Sequence, residues 1–355
     1  SATGNPSDGD FPYLVQLPAE YDPYRRYPTL LVLNDSDHTP EQALDFWAGS
    51  IPPPSADGVA APRRGQAMRH GYITIAPLWQ KPHQGGYEFT GREHVAVLTV
   101  LRDASRRFSI DADRVYLTGH GAGGDAAWDL AQAHPDLWAG VLPFVAVSDK
   151  YIAHYWDNVR HVPLYFVAGE LDGRTMSLNA PVWDLYLRKP PSGAKPGFDV
   201  TIVEFQGRGH EPFHDEILNA FDWMGRKTRG TSPKEFACNT LRPFDSFFWW
   251  LECGQLPEQF MIHPTEWNSR RARPARVEGK MLEDNRLWAR SPAPQTTVWL
   301  NPDVVDFDKP VRLTFNGTKA SLGDGIIRPD PVVLLEDVRT RGDRQRPFWA
   351  RIDMP

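Results

Sequence analysis

The sequence predicts an α/β protein, a mostly parallel central sheet flanked by helices, followed by a smaller C-terminal β-rich module. Three observations carry that expectation. From Phe11 to about Arg229 short apolar runs alternate with amphipathic segments, the pattern of strands and crossover helices. Most of these runs are uninterrupted, as in strands covered by helices on both faces. After Gly230-Thr231-Ser232-Pro233, which reads as a linker, alternating strand patterns and Asn-Gly turn chemistry take over. The predicted domains are therefore residues 1–230 and 231–355.

Taken in order, the strands of the first domain are expected at 13–17, 29–33, 72–77, 115–118, 141–147, 164–168 and 200–205. Residues 94–108 and 125–134 carry apolar side chains at helical spacing, and 215–226 closes the series with Ile217, Leu218, Phe221 and Met224 on one face. In the second domain, 311–321 is a hairpin candidate because Asn316-Gly317 supplies the positive φ angles of a tight turn. Residues 244–251, with Phe247-Phe248-Trp249-Trp250, read as a packed strand or as a platform on which a sugar could stack.

The chain has 355 residues and a formal net charge of -6, so no basic surface gathers nucleic acid, which is excluded as an expected partner. No stretch approaches the roughly 18 apolar residues needed to span a bilayer. Cys238 and Cys253 are the only cysteines and leave their pairing and the compartment open, an extracytoplasmic setting being slightly favoured.

The chemistry is concentrated in Arg114-Val115-Tyr116-Leu117-Thr118-Gly119-His120-Gly121-Ala122-Gly123-Gly124. A strand followed by small residues matches a nucleophile elbow of the G-x-S-x-G type, with Gly121 where the serine belongs. Downstream, Asp172 in Gly169-Glu170-Leu171-Asp172 and His210 in Gly207-Arg208-Gly209-His210 follow two later strands, in the order acid then base. With Leu17-Pro18-Ala19-Glu20-Tyr21 and Tyr27-Pro28-Thr29-Leu30, these residues resemble the α/β-hydrolase superfamily, in particular its esterase-D, polyhydroxybutyrate-depolymerase and prolyl-oligopeptidase-like branches. The resemblance covers residues 11–229 and implies an α/β-hydrolase fold, with Asp172 orienting His210, His210 as general base and the Ala122 N–H in the oxyanion hole.

Two parts depart from the family pattern. Gly121 has no side chain with which to form a covalent intermediate. The loop that usually gives the second oxyanion donor reads Leu33-Asn34-Asp35-Ser36-Asp37-His38, and a carboxylate at Asp35 or Asp37 opposes a developing oxyanion. Three readings stay open: a non-catalytic member that binds a ligand or serves architecture; a hydrolase of esterase or peptidase type in which His210 and Asp172 activate water; and a serine hydrolase whose nucleophile was deliberately replaced. The expected ligand is a small molecule, an ester or a peptide, and no cofactor is implied. Trp79, Tyr151, Tyr155 and Trp156 follow strand ends on the carboxyl side of the sheet and are the expected pocket walls. Glu88, Arg92, Glu93 and His94 read as a cleft rim or as an acidic helix start. His210-Glu211-Pro212-Phe213-His214 matches H-E-x-x-H, but the flanking glycine and Pro212 argue against the helix that a zinc site needs, so no metal is expected.

Overall fold

The computed structural model describes residues 10–52, 63–148, 152–188, 197–267 and 272–355. The chain forms two compact units, one of Ser1–Ala131, Leu137–Asp149 and Val162–Arg229, the other of Gln132–Asp136, Lys150–His161 and Gly230–Pro355. The second unit thus draws two segments from inside the stretch expected to form the first domain.

The first unit begins with β1 (Tyr13–Gln16), β2 (Tyr27–Leu33), α1 (Pro40–Ala48), α2 (Gln66–Arg69), β3 (Ile73–Pro77) and α3 (Gly91–Arg107). Then follow β4 (Ile110–His120), α4 (Ala122–Ala133) and β5 (Gly140–Phe144), and, after α5 (Ile152–Tyr155) of the second unit, β6 (Leu164–Gly169), α6 (Thr175–Leu187), β7 (Val200–Phe205) and α7 (Ile217–Met224). The sheet order is β1-β3-β2-β4-β5-β6-β7, with β1 antiparallel to β3 and the other pairs parallel. The sheet is the predicted one. Every residue of β2, β3, β5 and β6 is buried, which is why their sequences read as unbroken apolar runs.

On one face, Trp47 of α1 meets Phe144 edge-on at 5.7 Å and Phe221 of α7 at 5.8 Å, within a cluster that includes Leu30, Val32 and Leu142. Local capping fixes where the helices start. Thr39 caps α1 in a reciprocal pair with Gln42. At α3, Glu93 accepts the Thr90 N–H at 2.7 Å and the Glu88 N–H at 2.9 Å, and it is buried. Glu93 and His94 therefore belong to a buried helix start, not to a cleft rim.

In the second unit β8 (Glu235–Thr240), β9 (Phe247–Phe248), β10 (Leu251–Cys253), β11 (Ala275–Leu282), β12 (Arg286–Arg290), β13 (Thr296–Leu300), β14 (Arg312–Phe315), β15 (Thr318–Lys319) and β16 (Ala350–Met354) form two sheets, with α8 (Pro331–Arg341) before the last strand. The orders are β16-β13-β10-β9 and β15-β14-β12-β11-β8. Alternating burial along β8 and β13 feeds one core of Phe236, Trp250, Val277, Leu287 and Val298. The Asn-Gly hairpin forms as predicted, with φ of 48° at Asn316 and 83° at Gly317. Phe248, Trp249 and Trp250 are buried in this core, which corrects the sugar-platform reading and leaves the packed-strand one. Cys238 and Cys253 are buried free thiols of the same core.

Candidate functional site

Strand β4 delivers Gly119, His120 and Gly121 to the carboxyl edge of the sheet, and α4 starts at Ala122. The turn is sharp: φ is +50° at Gly121, whose N–H donates to Phe144 O at 3.1 Å while its carbonyl accepts the Asp125 N–H at 2.9 Å. A Cβ on Gly119 would lie 2.2 Å from Gly123 O, so only glycine lets strand and helix approach this closely. Strand, sharp turn and helix are thus closely packed here.

Gly121 is crowded by something else. A Cβ built there would meet the Asp35 carboxylate, at 2.1 Å from Oδ2, 2.4 Å from Cγ and 2.5 Å from Oδ1. The acid group of Asp35, from the loop after β2, fills the space in which an elbow side chain would stand. Its Oδ1 accepts the Ala122 N–H at 2.9 Å and the Ser36 N–H at 2.7 Å, while Oδ2 lies 3.3 Å from His210 Nε2. The loop is held from behind by Asn34, whose Nδ2 lies 2.9 Å from Asp35 O, 2.8 Å from His38 O and 2.8 Å from Gln80 Oε1.

His210 and Asp172 come together as the sequence order suggested. His210 Nδ1 is 3.4 Å from Asp172 Oδ1, so the imidazole stands between two carboxylates, Asp172 on one nitrogen and Asp35 on the other. Asp172 follows β6 in a tight turn closed by its own N–H on Gly169 O at 3.2 Å and by Thr175 N–H on Asp172 O at 3.0 Å. Its Oδ2 is buried and has no hydrogen-bond partner among the described residues. The His210 loop is anchored by Arg208, which lies over the rings of Phe205 and Phe213 and donates to Glu211 and Asp215.

The electrostatics follow from this arrangement. The Asp35 hydrogen bond raises the pKa of His210 against the opposing effect of burial, and the Asp172 charge adds to the rise. Burial pushes the Asp35 carboxyl up, but its bonds to His210, Ala122 and Ser36 outweigh that and leave it below the usual carboxylate range. Both shifts favour the imidazolium–carboxylate form of the pair. A histidine in that state has no lone pair with which to accept a proton.

A cavity of about 430 Å³ opens over the pair. Its walls include Leu33, Phe46, His120, Val145, Pro212 and His214. His120 donates from Nε2 to Pro212 O at 3.0 Å and packs against Phe46 and Phe144, each at 4.7 Å between ring centres. Burial pushes its pKa down to about 4, so it is a neutral part of the wall. Val145, also in the wall, has φ of 46°, a left-handed conformation that is rare for a β-branched residue.

The expected aromatic walls lie elsewhere. Trp79 and Tyr155 are fully buried, and neither they nor Trp156 line this cavity; Tyr155 is fixed in the second unit by its hydroxyl contacts to Thr240 Oγ1 and the Leu241 N–H. Tyr151 lies outside the described residues. The residues that do line it, Phe46, His120 and Val145 above all, carry no motif, although His120 is the residue just before the elbow glycine. The H-E-x-x-H stretch is not one helix: 210–213 is irregular and His214 opens a single turn, His214–Glu216. Asp35, Asp37 and His38 each bring one ligand atom within 4.8 Å of the others, but Asp35 is engaged by His210 and two amides, and Asp37 Oδ1 is 2.5 Å from His38 Nδ1.

The first unit has a mixed α/β fold with a mostly parallel central sheet. No family model and no curated protein matches the sequence. Among solved structures it is similar to a thermostable esterase, at 19% identity and a TM-score of 0.44 over 62% of this chain and 60% of that one. It is also similar to the S-formylglutathione hydrolase FrmB of Staphylococcus aureus, at 12% identity and 0.43 over 61% of this chain and 99% of that one. An S-formylglutathione hydrolase of Agrobacterium tumefaciens gives 14% and 0.42 over 61% and 89%. The first of these alignments spans less than two thirds of the esterase's own length.

Proposed function

We propose that this chain is a hydrolase-fold protein that no longer runs serine-type acyl transfer and uses the retained pocket to bind a small ligand. The observation that carries the reading is the Asp35 carboxylate at Gly121. It fills the nucleophile's space and takes up the Ala122 N–H, the donor that an acyl-transfer oxyanion needs. Two further facts support it. No hydroxyl or thiol stands at the elbow, and His210 lies between the Asp35 and Asp172 carboxylates, which favour its protonated form and so weaken it as a base toward a water in the cavity. Both the covalent route and the direct water route are thereby disfavoured toward esters and peptides.

The test is turnover of short p-nitrophenyl esters and aminopeptide substrates, and labelling by a fluorophosphonate, for the unaltered chain beside His210→Ala. Equal background from both proteins and no label is the expected result. Ester or peptide hydrolysis that disappears in His210→Ala would overturn the reading.

A further inference from the structure

We propose that the second unit binds a short chain of acidic sugars, with one pyranose ring against Trp288 and carboxylates on the arginines that flank it. The inference is independent of the cavity at Gly121 and concerns the outer face of the sheet β15-β14-β12-β11-β8. Ala275 and Val277 of β11 and Leu287 and Ala289 of β12 enter the core. Arg276, Glu278 and Lys280, and Arg286, Trp288 and Arg290, therefore stand on the opposite face. The register sets Glu278 opposite Arg290, Lys280 opposite Trp288, and Arg286 beside Arg312 of β14. The formal net charge of the chain is -6, yet on this face Arg276, Lys280, Arg286, Arg290 and Arg312 outnumber Glu278 and the Glu235 of β8 that pairs with Lys280.

A cavity of about 680 Å³ opens on this face. Phe260, Pro274, Arg276, Trp288, Arg290 and Pro292 are in its walls, and among the described residues no carboxylate is. Two guanidinia in such a wall select an anion, and they suit a carboxylate, which each can take with two parallel N–H bonds. Their positions are set in advance. Glu278 Oε1 accepts from Arg276 Nε at 3.0 Å, and its Oε2 lies 3.8 Å from Arg290 Nη1, so one carboxylate steers both arginines. The Nη groups of Arg276 and the Nε and Nη2 of Arg290 have no partner among the described residues and remain for a ligand. Trp288 supplies a flat apolar surface between these charges. Lys280 Nζ stands 5.7 Å from the ring centre, and the indole N–H has no partner among the described residues.

The mixture of groups decides which anion fits. Glu278 and Glu235 lie within the basic face, where they repel phosphates but accept hydrogen bonds from hydroxyls, which a sugar carries on every ring. A single-stranded nucleic acid also wants several rings on which successive bases stack. Of the outward residues of β11, β12 and β14 only Trp288 is aromatic. Arg290 and Arg286 lie four residues apart on β12, about 13 Å, with Trp288 midway between them. Charge, ring and charge therefore follow one another along the strand. A run of three uronic acids matches that order, its central ring on Trp288 and its outer carboxylates on Arg276 and Arg290 at one end and on Arg286 and the exposed Arg312 at the other.

The probe is trigalacturonate, titrated into the full chain by calorimetry, with neutral galactotriose and hexathymidylate beside it. We expect trigalacturonate to bind, and to bind more weakly as salt rises. Galactotriose, which lacks the carboxylates, should bind at least about tenfold more weakly, and Arg290→Gln and Trp288→Ala should each weaken trigalacturonate about tenfold. Arg290 is 65% exposed, so Arg290→Gln reads the site even where Trp288→Ala disturbs the sheet. Arg339→Gln, on the exposed side of α8, should bind as the unaltered chain does. No binding of trigalacturonate, equal binding by Arg290→Gln, or galactotriose or hexathymidylate bound as tightly as trigalacturonate would overturn the inference. None of these outcomes touches the preceding reading, which stands or falls on ester and peptide turnover.

Discussion

The elbow and the loop after β2 face each other across the site, and each has met a different constraint. At Gly119 a side chain is forbidden by backbone, since Gly123 O lies 2.2 Å from where its Cβ would be. At Gly121 it is forbidden by another side chain, the Asp35 carboxylate. Backbone contacts cannot be exchanged without loss of the strand-turn-helix unit, whereas a side chain can replace another over a gap of 86 residues in sequence, 121 minus 35. The turn is set by backbone, and the space above Gly121 is occupied by the Asp35 carboxylate.

Breaking the first kind of contact should cost most. Gly119→Ala is expected to destabilise by more than about 3 kcal/mol, because the clash is with backbone that has no alternative position; a denaturant melt of the purified variant checks it. Gly121→Ser comes next. It combines a left-handed φ with overlap on Asp35 and should lose on the order of 3 kcal/mol, without gaining fluorophosphonate labelling. Adding Asp35→Gly removes the overlap and should return roughly half of that loss. Labelling of the double variant, and not of Gly121→Ser alone, is the result that would show the carboxylate and the serine to be mutually exclusive.

The electrostatic side of the comparison is tested more gently. The His210 imidazole should titrate above its ordinary value of 6.5 by NMR, and Asp35→Ala should move the midpoint down, because the first cause of the rise is the Asp35 hydrogen bond. The linked stability has a sign at each end. His210, raised on folding, contributes stability in full below about 6.5 and loses it as pH rises through its higher folded value. Asp35, lowered on folding, contributes above 3.8 and loses its share as pH falls through its lower folded value. The pair therefore supports the fold best between these two ordinary values, and in Asp35→Ala the loss of stability on either side of that window should shrink. Because His210 is half exposed, the amplitude should be the smallest of these effects.

How much of this the sequence discloses depends on whether the information is local. Strands β2, β3, β5 and β6 are legible because burial on both faces leaves no polar alternation, and Asp172 and His210 because each follows a strand in a fixed order. The role of Asp35 is not local. Its sequence neighbours predict only an obstruction to an oxyanion, and only the fold reveals that it stands at Gly121. The same applies to the aromatic walls: a ring after a strand end serves a pocket or a core equally well by pattern. Trp79 and Tyr155 went to the core, and Phe46 of α1, with no motif around it, went to the cavity. The segments 132–136 and 150–161, which join the second unit, lie too far in sequence from its β-rich part for their patterns to reveal the association.

Val145 adds a consequence of another kind. A valine held in left-handed conformation costs on the order of 1–3 kcal/mol, and it survives only because its surroundings leave it no other position: its N–H is tied to Val167 O at 2.8 Å and its side chain is buried. One wall of the cavity is thus held under backbone strain, at a residue fixed by the neighbouring strand β6 through Val167.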